Sequence, residues 1–168
     1  MIQISPRYRK ILAHRAGPSI GAVAIAFGAV AATASAASAE QTCKVAPGYV
    51  NCFSITPMEN NDYAVHLGID VHMSRQDAQN IIDAPGEEFS AKVFGDDWNW
   101  DNALFNVPVT WSAAGDSGLS AEFDIVVDGS ALDEDWEGTD ELYGRVSLFD
   151  PRGGEDRTFT TNVLTGDF

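Results

Sequence analysis

Basic residues are scarce in most of this chain. The 168 residues include ten lysines and arginines against 25 aspartates and glutamates, and four of the bases lie in residues 1–39, which hold no acid. Residues 40–168 therefore carry a net charge of −19. This charge excludes nucleic acid as a natural partner, because phosphate binding requires clusters of lysine and arginine. It also argues against unassisted docking on anionic membranes, and it favours cations or basic partners.

Long apolar runs are lacking as well. The longest, residues 20–33, is shorter than the roughly 20 residues that a membrane-spanning helix needs. A basic segment precedes it, and two Ala-Ser-Ala triplets ending at Ala36 and Ala39 follow it. This is the pattern of a cleaved secretory signal. We therefore predict a signal peptide over 1–39, an extracellular location, no transmembrane segment after cleavage, and a single domain over 40–168.

Cysteine is limited to Cys43 and Cys52, with Pro47-Gly48 midway between them. A hairpin that turns at Pro47-Gly48 places the two cysteines opposite each other at a non-hydrogen-bonded pair, where a disulfide fits. Export favours that bond. We predict a structural disulfide in an N-terminal hairpin, with a looser loop as the alternative, since Pro-Gly prefers turns that match hairpin twist less well. The spacing is not the Cys-x-x-Cys of redox-active pairs.

The rest of the chain alternates apolar and polar residues with the period of β-strands. The segments that do so are 63–73, 89–93, 105–111, 119–127, 142–149 and 157–164. Pro108 lacks an N–H, so the expected strand over 103–111 lies at an edge or is bulged. Ser74 and the apolar stripe after it predict one short helix over 74–84. The pattern predicts an all-β fold, an antiparallel β-sandwich of about seven or eight strands, with a barrel as the alternative.

Acidic residues concentrate in two segments, 95–102 and 133–141. Each contains an Asp-Trp pair and leads to a leucine followed by an aromatic residue, Leu104-Phe105 after the first segment and Leu142-Tyr143 after the second. If the intervening strands run up and down, both loops lie at the same end of the sandwich. Oxygen ligands at alternate positions suit Ca²⁺, which takes six to eight of them. The predicted calcium ligands are Asp96, Asp97, Asn99, Asp101, Asp133, Asp135, Glu137, Asp140 and Glu141. The alternative is that these loops are simply solvated.

Residues 133–144 resemble the third calcium loop of C2 domains. In that loop an Asp-x-Asp pair is followed six residues later by another acid, two apolar residues and a glycine; here the matching residues are Asp133, Asp135, Glu141, Leu142, Tyr143 and Gly144. Glu141 stands where the family usually has aspartate. The resemblance implies a β-sandwich that holds calcium between loops at one end. A basic lipid-binding strand is missing from this sequence, so the resemblance does not extend to membrane targeting.

Three tryptophans, Trp98, Trp100 and Trp136, lie within the acidic loops. Such rings stack on sugars or pack against a protein partner, and the alternative is that they fold back over the end of the core. Trp111 continues the inward face of a predicted strand, and we expect it in the core.

Catalytic signatures are absent: the sequence has no Gly-x-Ser-x-Gly, His-Glu-x-x-His or phosphate-binding loop, so we do not expect an enzyme. The leading hypothesis is a secreted, monomeric, calcium-binding module that binds an unidentified protein or glycan without catalysis. One alternative is a carbohydrate-binding module in which calcium is structural. Another is a metal-free, salt-tolerant secreted protein with a structural or inhibitory role.

Overall fold

Alternating sequence patterns produce two antiparallel β-sheets in the computed structural model, which describes residues 39–96, 101–133 and 139–168. In chain order the elements are β1 Glu40–Ala46, β2 Tyr49–Pro57, β3 Asp62–His72, α1 Arg75–Ile82, β4 Phe89–Gly95, β5 Asn102–Val107, β6 Val109–Gly115, β7 Gly118–Asp128, β8 Asp140–Leu148, β9 Arg157–Thr160 and β10 Leu164–Gly166. Two short 3₁₀ turns, Glu59–Asn61 and Gly129–Ala131, complete the described structure.

Sheet A has the strand order β1-β2-β3-β7-β6, and sheet B has the order β10-β8-β4-β5. Strands β9 and β10 pair with different halves of β8. The all-β prediction with one short helix is confirmed. The described residues form ten strands instead of seven or eight, because two of the expected strands are each divided in two.

The chain changes sheets at Pro108. Strand β5 ends at Val107 in sheet B, and β6 begins at Val109 in sheet A. The prediction of one strand over 103–111 is therefore wrong: proline cannot donate to the ladder, and the break that it imposes becomes a crossing between sheets. The expected strand over 157–164 likewise divides into β9 and β10, with 161–163 between them.

The N-terminal hairpin forms in the predicted register. Cys43 pairs with Cys52 and Ala46 with Tyr49, and the disulfide joins β1 to β2. Gly48 has φ 89°, the value that the third position of a type II turn requires and that glycine adopts without steric cost. The turn is thus a tight Pro-Gly turn, and the alternative of a looser loop is not observed.

Helix α1 begins where its sequence predicts. The Ser74 hydroxyl accepts a hydrogen bond from the Asp77 amide at 3.1 Å and caps the helix, which buries Ala78 and Ile81 against β6 and β7. Among the described residues, no helix has the length and apolar character needed to cross a bilayer.

The apolar core lies between the sheets. The rings of Phe89 in sheet B and Phe123 in sheet A meet edge to face with centroids 5.8 Å apart. Gly144 of β8 faces Leu67 of β3, where a Cβ atom would collide with the leucine side chain. Trp111 is half-buried and lies outside this core, so its predicted core position is wrong. A register shift between Val109 and Trp111 places it beside Glu122.

Candidate functional site

The described ends of the two acidic segments meet where β4 ends and β8 begins. These strands pair in antiparallel fashion up to Gly95 and Leu142, and the Asp96 amide donates to the Glu141 carbonyl at 2.7 Å. Asp96 opens the first acidic loop and Glu141 closes the second. The start of the first loop and the end of the second therefore share one end of sheet B, through the direct pairing of β4 with β8.

Five of the predicted calcium ligands belong to the described structure. Asp140 is buried, with 3% of its surface exposed, and the Asp133 amide donates to the Gly129 carbonyl at 3.1 Å. The remaining loop residues, Asp97, Trp98, Asn99, Trp100, Asp135, Trp136 and Glu137, lie outside the described residues. Within the described ranges, no group of three histidine, cysteine, aspartate or glutamate side chains is close enough to hold a metal ion.

Two aromatic rings and a guanidinium form a stack beside these loop ends. Phe94 of β4 and Tyr143 of β8 lie parallel with their centroids 5.4 Å apart, and Arg145 Cζ lies 4.1 Å from the Phe94 centroid. We call these three residues the aromatic–arginine stack. They occupy the outer face of sheet B, because the neighbouring Val93 and Leu142 point into the core. Both rings are nevertheless less than one tenth exposed.

The stack fixes the last carboxylate of the first acidic segment. Tyr143 Oη donates to Asp101 Oδ2 at 2.6 Å, and Arg145 Nη2 donates to Tyr143 Oη at 2.7 Å. Burial, followed by the hydrogen bond to Asp101, raises the pKa of Tyr143 to about 12. Tyr143 therefore remains a hydrogen-bond donor over the physiological pH range and holds Asp101 in place.

Arg145 also sets the local charge. Its guanidinium lies 3.5 Å from Asp101 Oδ2, with 35% of the side chain exposed. A positive charge at this distance attracts the Asp101 carboxylate and repels a second cation beside it. A metal ion at this end of the sheet would therefore draw more on carboxylates farther from Arg145 than on Asp101.

The aromatic–arginine stack was not predicted from the sequence. A signal was present in the pairs Val93-Phe94 and Leu142-Tyr143, where large apolar side chains occupy both faces of a strand. Two consecutive large apolar residues in a strand indicate that the outer face of the sheet is covered at that point. Arg145, one of six basic residues in 40–168, was the other indication.

The fold and the site define a class of protein. It is an antiparallel two-sheet β protein with a disulfide hairpin, in which the start of one carboxylate-rich segment lies beside the end of another. Compared with models of protein families, with curated proteins and with solved structures, the chain matches none.

Proposed function

We propose that this protein is secreted and that it binds Ca²⁺ through the acidic segments 96–101 and 133–141, acting as a non-catalytic binding or adhesion module. The observation that carries the proposal is the hydrogen bond from the Asp96 amide to the Glu141 carbonyl. It holds the first residue of one acidic segment beside the last residue of the other, and this supports a site to which both segments contribute.

Electrostatics supports a cation at this position. Residues 40–168 carry a net charge of −19, and carboxylates gathered at one sheet end repel one another. A hard cation that takes six to eight oxygens relieves the repulsion and orders both loops. An ordered, cation-stiffened loop pair at the end of a β-sandwich presents a defined surface to a protein or glycan.

Export is supported by two independent features. The leader at 1–39 has the signal-peptide pattern, and the Cys43–Cys52 disulfide is the kind of bond that persists in oxidising compartments. In such compartments Ca²⁺ is available at concentrations that suit low-affinity extracellular sites.

The test is a thermal melt of chelator-treated protein with added Ca²⁺, and with Mg²⁺ or NaCl at matched ionic strength as controls. Binding to the folded state alone raises stability by RT ln(1 + [L]/Kd), about 2.7 kcal/mol at a hundredfold excess over Kd. We expect a stabilisation specific to Ca²⁺. A shift no larger than that from matched NaCl would contradict the proposal and favour the metal-free, salt-tolerant protein.

A pair of variants locates the effect. Asp135→Asn removes one charge from the second acidic segment and is expected to abolish the Ca²⁺-dependent shift. Asp116→Asn removes the same charge from the exposed turn between β6 and β7, at the other end of β7 from that segment, and is expected to retain the shift. An equal response of both variants would show that Ca²⁺ acts on overall charge and not on a site.

A further inference from the structure

A groove of about 540 Å³ lies at the opposite end of β4 from the acidic segments. Its walls are residues 86–91, which lead into β4, and residues 106–109, which carry the chain from β5 to β6. The volume falls within the range of ordinary small-ligand sites. One side of the groove is open at Gly86: apart from Gly86 and its two chain neighbours, no described residue has an atom within 4 Å of the point where a side chain would begin.

The groove exists because the two ladders of β4 have different lengths. On one side β4 pairs with β8 from Phe89 onward, and on the other side it pairs with β5 only from Ala91 onward. The β5 side is shorter because the chain leaves sheet B at Pro108. Phe89 and Ser90 therefore have a strand neighbour on the β8 side alone among the described residues. An open strand edge of this kind accepts an additional extended chain.

The lining combines an exposed apolar edge, at Pro108 and Val109, with an acidic rim. Phe89, Ala91 and Val107 are each 3% exposed or less, and Val109 is 41% exposed at the edge. Glu87 is exposed and Glu88 is half-buried, and none of the lining residues is lysine or arginine. A ligand that fits this lining has an apolar stem and a positive charge.

Glu88 is held in place from two directions. Its Oε1 accepts a hydrogen bond from Ser112 Oγ of β6 at 2.9 Å, and its backbone carbonyl accepts one from the Phe149 amide at 2.8 Å. A carboxylate that is positioned before binding loses little side-chain entropy when it pairs with a cation.

We propose that this groove binds an extended peptide segment of a partner protein, which pairs its backbone with β4 at Phe89 and directs a lysine or arginine side chain to Glu88. The net charge of −19 on residues 40–168 attracts basic segments over long range and repels acidic ones. The groove then selects among basic segments by requiring an extended backbone and alternate apolar side chains.

The first experiment compares two fluorescently labelled pentapeptides by polarisation on the full protein. One alternates valine and lysine, and the other alternates valine and glutamine. We expect the lysine peptide to bind at least about tenfold more tightly, the factor that corresponds to 1.4 kcal/mol. Equal affinities would overturn the proposal, and this comparison needs no variant of the protein.

Two matched variants distinguish binding in the groove from attraction by the net negative charge of the protein. Glu88→Gln keeps an oxygen that accepts from Ser112, and we expect it to weaken the lysine peptide about tenfold. Glu155→Gln removes the same charge at an exposed position of the 149–156 segment, and we expect a change of less than about twofold. Equal weakening by both variants would show non-specific attraction and would overturn the assignment of the groove.

A third comparison tests backbone pairing. Methylation of alternate backbone nitrogens in the lysine peptide blocks strand addition but keeps the charge, and we expect about a tenfold loss of affinity. Unchanged affinity, or equally tight binding of lysine amide alone, would contradict a peptide occupant.

Discussion

The acidic side chains on the outer faces of the two sheets have different surroundings. Strands β3 and β7 of sheet A contain no lysine or arginine. Their carboxylates are held by neutral or weakly basic groups: Asp124 bonds to Thr110 and His66, and Asp70 accepts from Ser120. In sheet B, Lys92 of β4 and Arg145 of β8 stand directly opposite each other. Two of the six basic residues of 40–168 thus lie on the strand pair that carries the acidic segments.

The two faces also differ in how neighbouring strands are joined. In sheet A the Cys43–Cys52 disulfide links β1 to β2 covalently. In sheet B the aromatic–arginine stack links β4 to β8 through ring contact, cation–π attraction and hydrogen bonds. The covalent link secures an edge strand, whereas the non-covalent link supports a central pair next to the proposed site. We therefore expect the stability of sheet A to depend on its disulfide and that of sheet B to depend on Arg145.

The largest expected effect is loss of the disulfide. Replacing both Cys43 and Cys52 with alanine frees the unfolded chain from a short loop closed between residues nine apart in sequence, and we expect the free energy of unfolding to fall by about 2–3 kcal/mol. Urea denaturation measures the change. Reduction of the unmodified protein should reproduce it. A loss below about 0.5 kcal/mol would show that hydrogen bonding alone secures β1.

A smaller loss is expected when the stack is broken. Arg145→Met keeps an apolar stem over Phe94 but removes the charge and the hydrogen bond to Tyr143, and we expect a cost of about 1–2 kcal/mol in urea denaturation. The matched control is Lys92→Met, which removes the opposite and exposed cation. We expect that variant to stay within about 0.5 kcal/mol of the parent. Similar losses would mean that net charge matters and the stack does not.

Alkaline pH tests the same region without removing a residue from the stack. The pKa of Tyr143 is raised to about 12, whereas unfolded tyrosine titrates near its ordinary value of 10.0. The unfolded chain therefore releases this proton first, so the stability that Tyr143 contributes is present below pH 10 and is lost as pH rises toward about 12. Tyr143→Phe should abolish this loss of stability at alkaline pH. It should also remove the tyrosinate absorbance that appears at the highest pH. An unchanged titration would contradict the partly buried hydrogen bond to Asp101.

Local sequence signals predicted those parts of the fold that depend on local chemistry. Period-two alternation located β3 and β7, the Pro47-Gly48 turn set the hairpin register, and Ser74 marked the start of the helix. The change of sheet at Pro108 was not predictable in this way. A missing N–H is equally compatible with a bulged edge strand and with a crossing, and tertiary packing decides between them.

The candidate site likewise has a part that local sequence predicts and a part that depends on tertiary pairing. The acidic segments are visible in composition, and their shared end follows from simple topology. The aromatic–arginine stack depends on the pairing of Phe94 with Tyr143, two residues on strands distant in sequence. Local sequence does not specify which strands become neighbours. The sequence therefore predicted Asp101 only as a calcium ligand, and its contacts with Tyr143 and Arg145 became visible in the structure.

The smallest expected effect lies on sheet A. Asp124→Asn preserves the shape of a side chain that is 51% exposed and leaves its amide oxygen able to accept from Thr110 or His66. Because exposed pairs of this kind contribute little, we expect a loss of no more than about 0.5 kcal/mol in urea denaturation. A loss as large as that of Arg145→Met would contradict the contrast between the faces. It would show that hydroxyls and an imidazole bind carboxylates in sheet A as strongly as a guanidinium does in sheet B.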